Sequence, residues 1–275
     1  VPPTLITISD LSDPRVAPYL NLKDRDLQRL ALAPGSDTGG LFICEAELTV
    51  RQLLGSRFQP VSMLLTPARA ESLADLIASL PDGVPVLLAA PDIMNAIAGF
   101  DIHRGVLAAA RRAPMPPLDQ LLSRDVLLVG EGLSNHDNVG GLFRTVAGVA
   151  GTDRAAIVLD PKACDPLYRK SVRVSIGQAL KLPFTVAHRW PEDLAAIRAA
   201  GFTLVAMTPG PGAIDLREVP VPRKLALIVG AEGPGLSDEA LAAADVRAKI
   251  DMAPGVDSLN VVVAAGIALH ALLPR

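Results

Sequence analysis

The chain has little of several things that announce a function early. Only two of its 275 residues are cysteine, Cys44 and Cys164, far apart, and no Cys/His group stands at metal-ligand spacing. No metal site is expected, and the two thiols read as reduced cysteines of a cytosolic protein. Aromatic residues make up only 3%, so the core must be built from Ala, Val, Leu and Ile, which suit buried strands and the helices packed on them. Positive charge is not in excess, the net charge being −3. A nucleic-acid partner is therefore not announced by overall charge, and phosphate binding has to come from local clusters. The most apolar stretch, 261–269, is too short to span a bilayer. The start, VPPTLITISDLSDPR, lacks a basic segment followed by an apolar run, so no secretory leader is expected. These absences predict a soluble, cytoplasmic protein without membrane contact.

What is present is enough apolar material for folded domains. Half the residues are hydrophobic and 20% are charged, which excludes a disordered chain. The length allows two compact domains or one large one. Residues 1–40 are mixed and polar, with a short amphipathic helix at 22–32 and a Pro34–Gly35 break. Strands are then predicted over 41–46, 61–67, 85–90 and 105–112, alternating with helices over 48–55, 71–80 and 92–99. That alternation argues for a small α/β domain. The run APMPPL, with Pro114, Pro116 and Pro117, stops helix and favours a stiff extended link. The expected layout is an N-terminal α/β domain over 1–112, a proline-rich linker over 113–122 and a second domain over 123–275. In that domain strands are predicted over 126–129, 155–159, 202–207, 225–229 and 246–250, and helices over 139–149, 167–175, 192–200, 238–244 and 259–272. The strands are nearly continuous apolar runs, as in DVLLVG and LALIVG, which implies burial on both faces and a mostly parallel sheet between helices.

Three segments carry candidate chemistry. In NHDNVGGLFRTVAGVAG, Asn138 suits an N-cap, and Val139, Leu142, Phe143, Val146 and Val149 form one apolar stripe. The other face carries Gly140, Arg144, Ala147, Gly148 and Gly151, so one arginine stands among residues with almost no side chain. Glycine weakens a helix, so something large approaches the backbone there. By spacing alone, a ligand and a tightly packed helix with Arg144 in a salt bridge fit equally. In LALIVGAEGPGLSDE, a buried strand runs into Gly230, Gly233 and Gly235, and Ser237 caps a helix. Such turns at the carboxyl ends of strands are where open α/β sheets bind ligands. The glycine order is not G-x-G-x-x-G, and Glu232, Asp238 and Glu239 would repel a pyrophosphate, so a ligand with a positive centre fits better than a dinucleotide. A well-capped surface turn is the plainer alternative. In KIDMAPGVDSLNVVVAAGIALHALL, a Pro-Gly turn precedes a helix that Asp257 or Ser258 can cap, with Asn260 beside them. Simple capping accounts for Ser258 on spacing. The helix has almost no polar face and must be covered, within the chain or by another copy, with His270 a core or interface residue.

Together and in this order, the three segments resemble the SpoU (TrmH-like) branch of the SPOUT RNA methyltransferases. The resemblance runs over about 125–275 and rests on Asn138-Val-Gly140-x-x-x-Arg144, on Ile228 to Leu236, and on Ile250-Asp-Met252 with Asp257 to Val261 and Ala264 to Ile267. Val262 departs from the small polar residue common there, a change expected to tune packing only. The resemblance implies a parallel sheet with a deep trefoil knot, a homodimer, and S-adenosylmethionine bound beside the knot. It implies that Thr208, Gly210, Ile228, Gly230, Glu232, Ile250, Met252, Leu259 and Asn260 hold this cofactor. It implies that Arg144 is the central catalytic residue, assisted by Asn138, Glu232, Ser258 and Asn260, in methyl transfer to a ribose 2′-hydroxyl. Residues from about 41 to 112 resemble the small α/β/α substrate-binding domain that often precedes this one, through Glu45 and the His103-Arg104-Gly105 triplet. That extra domain favours ribosomal RNA over transfer RNA. A non-catalytic RNA-binding or assembly protein keeping the knot is the rival reading. For RNA contact the segment 161–181 is nominated, with Lys162, Arg169, Lys170, Arg173 and Lys181 against Asp165, and Arg104, Arg111 and Arg112 as a second patch.

Overall fold

A computed structural model describes residues 3–20, 40–99, 101–102 and 105–274. The helix expected over 22–32, the Pro34–Gly35 break, His103 and Arg104 lie outside them. The strands are β1 (Leu5–Ile8), β2 (Leu41–Glu45), β3 (Gln59–Leu65), β4 (Val86–Ala89), β5 (Val106–Arg111), β6 (Val126–Gly130), β7 (Ala155–Leu159), β8 (Phe184–Val186), β9 (Thr203–Met207), β10 (Ile214–Asp215), β11 (Leu225–Val229) and β12 (Val246–Lys249). The α-helices are α1 (Glu47–Leu54), α2 (Pro67–Ser72), α3 (Ala74–Ala78), α4 (Pro91–Ala98), α5 (Leu118–Leu121), α6 (His136–Ala150), α7 (Arg169–Val174), α8 (Asp193–Ala199), α9 (Asp238–Ala243) and α10 (Val261–Leu272). No described helix is long and apolar enough to cross a membrane.

The chain forms two compact units. One holds Val1–Pro114 together with Leu167–Lys181, and the other holds Met115–Pro166 and Leu182–Arg275. The first unit is a mixed sheet in the order β1-β4-β3-β5-β2. Strands β1, β4 and β3 run parallel, and β5 is antiparallel to β3 and β2. One core face gathers Ile8, Tyr19, Leu64, Leu87, Met94 and Leu107. Tyr19 is fully buried, and its hydroxyl lies 2.8 Å from Ser62 Oγ and accepts from Ala109 N at 3.2 Å. The polar handle of a buried ring is thereby satisfied. Strand β1 escapes the period-2 reading because Ile8 is its one buried residue. The helix expected over 71–80 is instead α2 and α3, separated at Leu73 (φ −116°, ψ 28°), which leaves the helical region to bury its side chain.

Helix α7 packs in this first unit through an ion cluster. Glu45, at the end of β2, is 6% exposed and accepts from Arg169 Nη1 and from Arg173 Nη1, the latter at 3.1 and 3.0 Å. Of the cations nominated for RNA contact over 161–181, Arg169 and Arg173 thus serve a buried carboxylate. Gly177 follows at φ +77°, where an added Cβ would lie 2.7 Å from Gln52 Cβ on α1. Replacing Glu45 with alanine removes the buried carboxylate to which both guanidinium groups donate. About 3 kcal/mol of stability should be lost, the low end for breaking a buried pair because Arg173 is partly exposed. Denaturant unfolding of Glu45→Ala against the unaltered chain measures it, and a loss under about 0.5 kcal/mol would place the cluster among ordinary surface pairs.

The second unit is a seven-stranded sheet in the order β10-β12-β9-β11-β6-β7-β8. Every pairing in it is parallel. Each residue of β6, β7 and β11 is buried, as their unbroken apolar runs predict. One face packs Leu127, Val129, Val158, Leu204 and Ile228 against Leu194 and Ile197 of α8 and Ala240 of α9. Alternate residues point to the opposite face, where Phe143 of α6 meets Phe184 edge-on at 5.4 Å. The outer strands β8 and β10 are only three and two residues long, too short to leave a periodic signal.

Candidate functional site

Because the sheet is parallel, the segments leaving β6, β7, β9, β11 and β12 emerge on one edge, the edge where such sheets bind ligands. Thr208 and Gly210 follow β9, Gly230 and Glu232 follow β11, and Ile250 and Met252 follow β12. Thr208 N donates to Ala248 O at 2.9 Å, joining the ends of β9 and β12, and Gly210 N donates to Thr208 Oγ1 at 3.1 Å. Ile228 is buried in β11, while Ile250, Met252 and Leu259 are half-buried and offer apolar surface.

The loop after β11 is shaped by its glycines. Gly235 N donates to Ala231 O at 3.1 Å, and Gly233 and Gly235 take φ +91° and +73°. Those are left-handed values that other residues adopt at a cost. Folding the loop back brings its own backbone onto Gly230, whose absent Cβ would lie 2.4 Å from Gly235 C. Ser237 then caps α9 by accepting from Ala240 N at 3.2 Å.

The three segments meet at side chains. Asn138 Nδ2 donates to Glu232 Oε1 at 3.0 Å. Asn260 Nδ2 donates to Asn138 Oδ1 at 2.9 Å and to Glu232 Oε1 at 3.0 Å. The expected capping roles are corrected by this cluster. Asn135, not Asn138, caps α6, accepting from Asp137 N at 2.8 Å. Asn138 sits one turn in, buried, with its amide committed to Glu232 and Asn260. Asn260, not Asp257 or Ser258, caps α10 by accepting from Val262 N at 2.9 Å. One Asn260 amide thus serves the cap through Oδ1 and the cluster through Nδ2. Ser258 is exposed two residues earlier, with no hydrogen bond among the described residues.

Arg144 is exposed on α6 and makes no hydrogen bond or ion pair among the described residues, so the salt-bridge alternative for it is not realised there. A helical side chain leans over the turn before it, which directs the guanidinium across Gly140 and Gly141. Val262 of α10 occupies the neighbouring cradle: a Cβ on Gly141 would meet Val262 Cγ2 at 2.8 Å. Gly141 is therefore the glycine that helix packing demands, whereas Gly148 has open space. Helix α10 is not covered all round in one chain. Val263 and Ile267 are 49% and 41% exposed, Val149 of α6 is 42% exposed, and His270 is exposed rather than in the core.

Sequence reasoning missed Glu131, at the end of β6. Its Oε1 accepts from Trp190 Nε1 at 2.9 Å, and its Oε2 accepts from Ser237 N at 2.9 Å. Nearby, burial raises the carboxyl pKa of Asp160, while backbone hydrogen bonds from Gly132, Lys162 and Ala163 oppose the rise. Burial likewise pushes the free Cys164 thiol up to about 12, so it stays protonated and unreactive.

The donor set fits a sulfonium nucleoside. Glu232 is exposed, and its Oε2 has no partner among the described residues, which leaves a negative oxygen available to a positive centre. Half-buried Ile250, Met252 and Leu259 suit an aromatic base.

Comparison with known proteins agrees in kind. A family model described as the SpoU rRNA Methylase family matches residues 125–270. An uncharacterized tRNA/rRNA methyltransferase of Mycobacterium bovis is 41% identical over 268 residues, covering 96% of this chain and 90% of that protein. The 23S rRNA (guanosine-2′-O-)-methyltransferase RlmB of Acinetobacter baylyi is 31% identical over 201 residues, covering 69% of this chain and 78% of that protein. In fold, the chain resembles the AdoMet-bound rRNA methyltransferase of Sinorhizobium meliloti, with TM-score 0.78, 23% identity and 96% of both chains covered.

Proposed function

The chain belongs to the SpoU rRNA methylase family and is an S-adenosylmethionine-dependent RNA methyltransferase, and from that premise we propose that it methylates a ribose 2′-hydroxyl of ribosomal RNA. The observation that carries this reading is the Asn138–Glu232–Asn260 cluster, which joins three distant segments at one sheet edge, with Arg144 on the helix of Asn138 and unpaired among the described residues. A protein kept only for RNA binding or assembly has no need of such a cluster. The N-terminal unit and the likeness to a 23S rRNA 2′-O-methyltransferase favour ribosomal over transfer RNA.

S-Adenosylmethionine supplies an electrophilic methyl group on a sulfonium. Thr208, Gly210, Ile228, Gly230, Ile250, Met252 and Leu259 hold it at the edge formed by β9, β11 and β12, with Glu232 and Asn260 on its flank. A ribose hydroxyl is a weak nucleophile, so positioning contributes much of the rate. Arg144 grips the adjacent phosphate with its two-pronged guanidinium and stabilises the negative charge that forms on the attacking oxygen. A guanidinium stays protonated in proteins, so it acts as a cation and donor rather than as a base. Asn138 and Glu232 fix the ribose side of the site, and Ser258, exposed before the cap, adds a hydroxyl to it. The exposed Val149, Val263 and Ile267 support a homodimer through α6 and α10. The reading includes the knotted C-terminal segment of the family and a cytoplasmic location.

Mapping 2′-O-methyl groups in cells with and without the protein tests this. Loss of one site in ribosomal RNA is the expected result. Loss from transfer RNA would move the substrate, and loss of a base methyl with all ribose methyls intact would refute the ribose assignment.

A further inference from the structure

Glu131 lies outside the three motifs on which the family resemblance rests, yet it holds the exit of the loop after β11. Its two carboxylate oxygens have different duties. One accepts from Ser237 N, which is the N-cap residue of α9 and the last residue of the glycine loop. The other accepts from the indole of Trp190, the only tryptophan in the chain. Glu131 N itself donates to Val229 O at 2.9 Å, so the residue grips β11 just before the loop and the helix start just after it. Next along, Gly132 takes φ +67°, and a Cβ added to it would lie 3.3 Å from Ala231 Cβ. The loop therefore has two outside anchors: Asn138 and Asn260 at Glu232 in its middle, and Glu131 at its far end.

We propose that Glu131 is a positioning residue for methyl transfer, setting the cofactor-binding shape of the 230–237 loop through Ser237, with Trp190 as the brace that orients its carboxylate. The inference rests on the reading that this loop holds S-adenosylmethionine. A carboxylate accepting two neutral N–H groups makes charge-assisted bonds, stronger than neutral ones. The donors are on different segments, so losing the carboxylate frees the loop rather than one side chain. The effect belongs on cofactor affinity, because Glu131 spends both oxygens on the protein. At saturating cofactor the loop is returned to its working shape by the ligand itself.

Titration calorimetry with S-adenosylmethionine, steady-state kinetics with RNA and thermal unfolding test this on the full chain. Glu131→Ala should weaken cofactor binding on the order of tenfold and raise the cofactor KM by a similar factor, with kcat nearly unchanged. Trp190→Phe, which removes the brace and keeps the Ser237 bond, should lower the melting temperature while shifting the cofactor Kd on the order of threefold or less. Glu131→Gln, keeping one acceptor oxygen, should fall between the unaltered chain and Glu131→Ala in cofactor affinity. In addition, Trp190 fluorescence should change when cofactor binds the unaltered chain and should lose that response in Glu131→Ala. A Glu131→Ala protein with a lowered melting temperature and unchanged cofactor Kd would reduce Glu131 to a structural role and overturn the proposal. Failure of the unaltered chain to bind cofactor would instead overturn the reading beneath it.

Discussion

Arg144→Ala should lower methyl transfer by about 100- to 1000-fold while leaving the cofactor Kd and the folded state as they were, because one preorganised donor aimed at developing charge has that worth. Folding does not depend on the guanidinium. Arg144 is exposed and has no partner among the described residues. Its helix is held by Leu142, Phe143 and Val146 on the other side, each 1% exposed or less. Exposed substitutions of this kind stay within about 0.5 kcal/mol, and alanine is the better helix former. Cofactor binding should not depend on it either, since the loops proposed to hold the cofactor, after β9, β11 and β12, are built from other residues. The loss should therefore fall on kcat and on RNA affinity. Arg144→Lys is the sharper variant. It keeps the charge and loses the planar fork, so it should recover only part of the rate. Single-turnover methyl transfer measured beside calorimetry separates these effects. A folded Arg144→Ala protein that has lost cofactor affinity would place the guanidinium on the cofactor and not on the RNA.

Much of the methyltransferase unit was legible because its strands are continuous apolar runs, and burial on both faces leaves no other stable arrangement for them. The bounds of β7 and β11 follow the sequence residue for residue. Capping was less legible. SNHDN offers several side chains able to cap one helix, and choosing Asn135 over Asn138 requires knowing that Glu232 and Asn260 claim the second. The same reason hid the cap of α10, where Asn260 does two jobs. The role of α7 was not legible at all. Its cations read as RNA contacts, and nothing local points to Glu45, 124 residues earlier than Arg169, as their partner. Glu131 was invisible for a related reason. A carboxylate after a strand has no periodic signature, and its meaning lies in the two donors the fold brings to it.

Gly230 is the position where a single methyl group should do the most damage. The added Cβ of Gly230→Ala would lie 2.4 Å from Gly235 C, 2.5 Å from Gly235 O and 2.7 Å from Leu236 N. All three are backbone atoms, so no side-chain rotation relieves the contact. The contrast is Gly148, with nothing within 4 Å, where glycine is not required for space. To accept alanine at 230, the loop has to open away from β11. Opening strains the Ala231–Gly235 closure at 3.1 Å and pulls Glu232 from Asn138 and Asn260. The strand itself stays paired with β6 and β9 on both sides, so the sheet should survive. Overpacking of this severity costs about 3 kcal/mol, within the stability of an ordinary domain. The expected protein is folded, melts earlier and binds S-adenosylmethionine at least about 100-fold more weakly, since about 3 kcal/mol of loop distortion is a factor of that size in affinity. Calorimetry and thermal unfolding on the same sample distinguish a lost cradle from a lost fold. If Gly230→Ala bound the cofactor as tightly as the unaltered chain, the loop after β11 could not be what holds it, and Glu232 would have to be reassigned along with it.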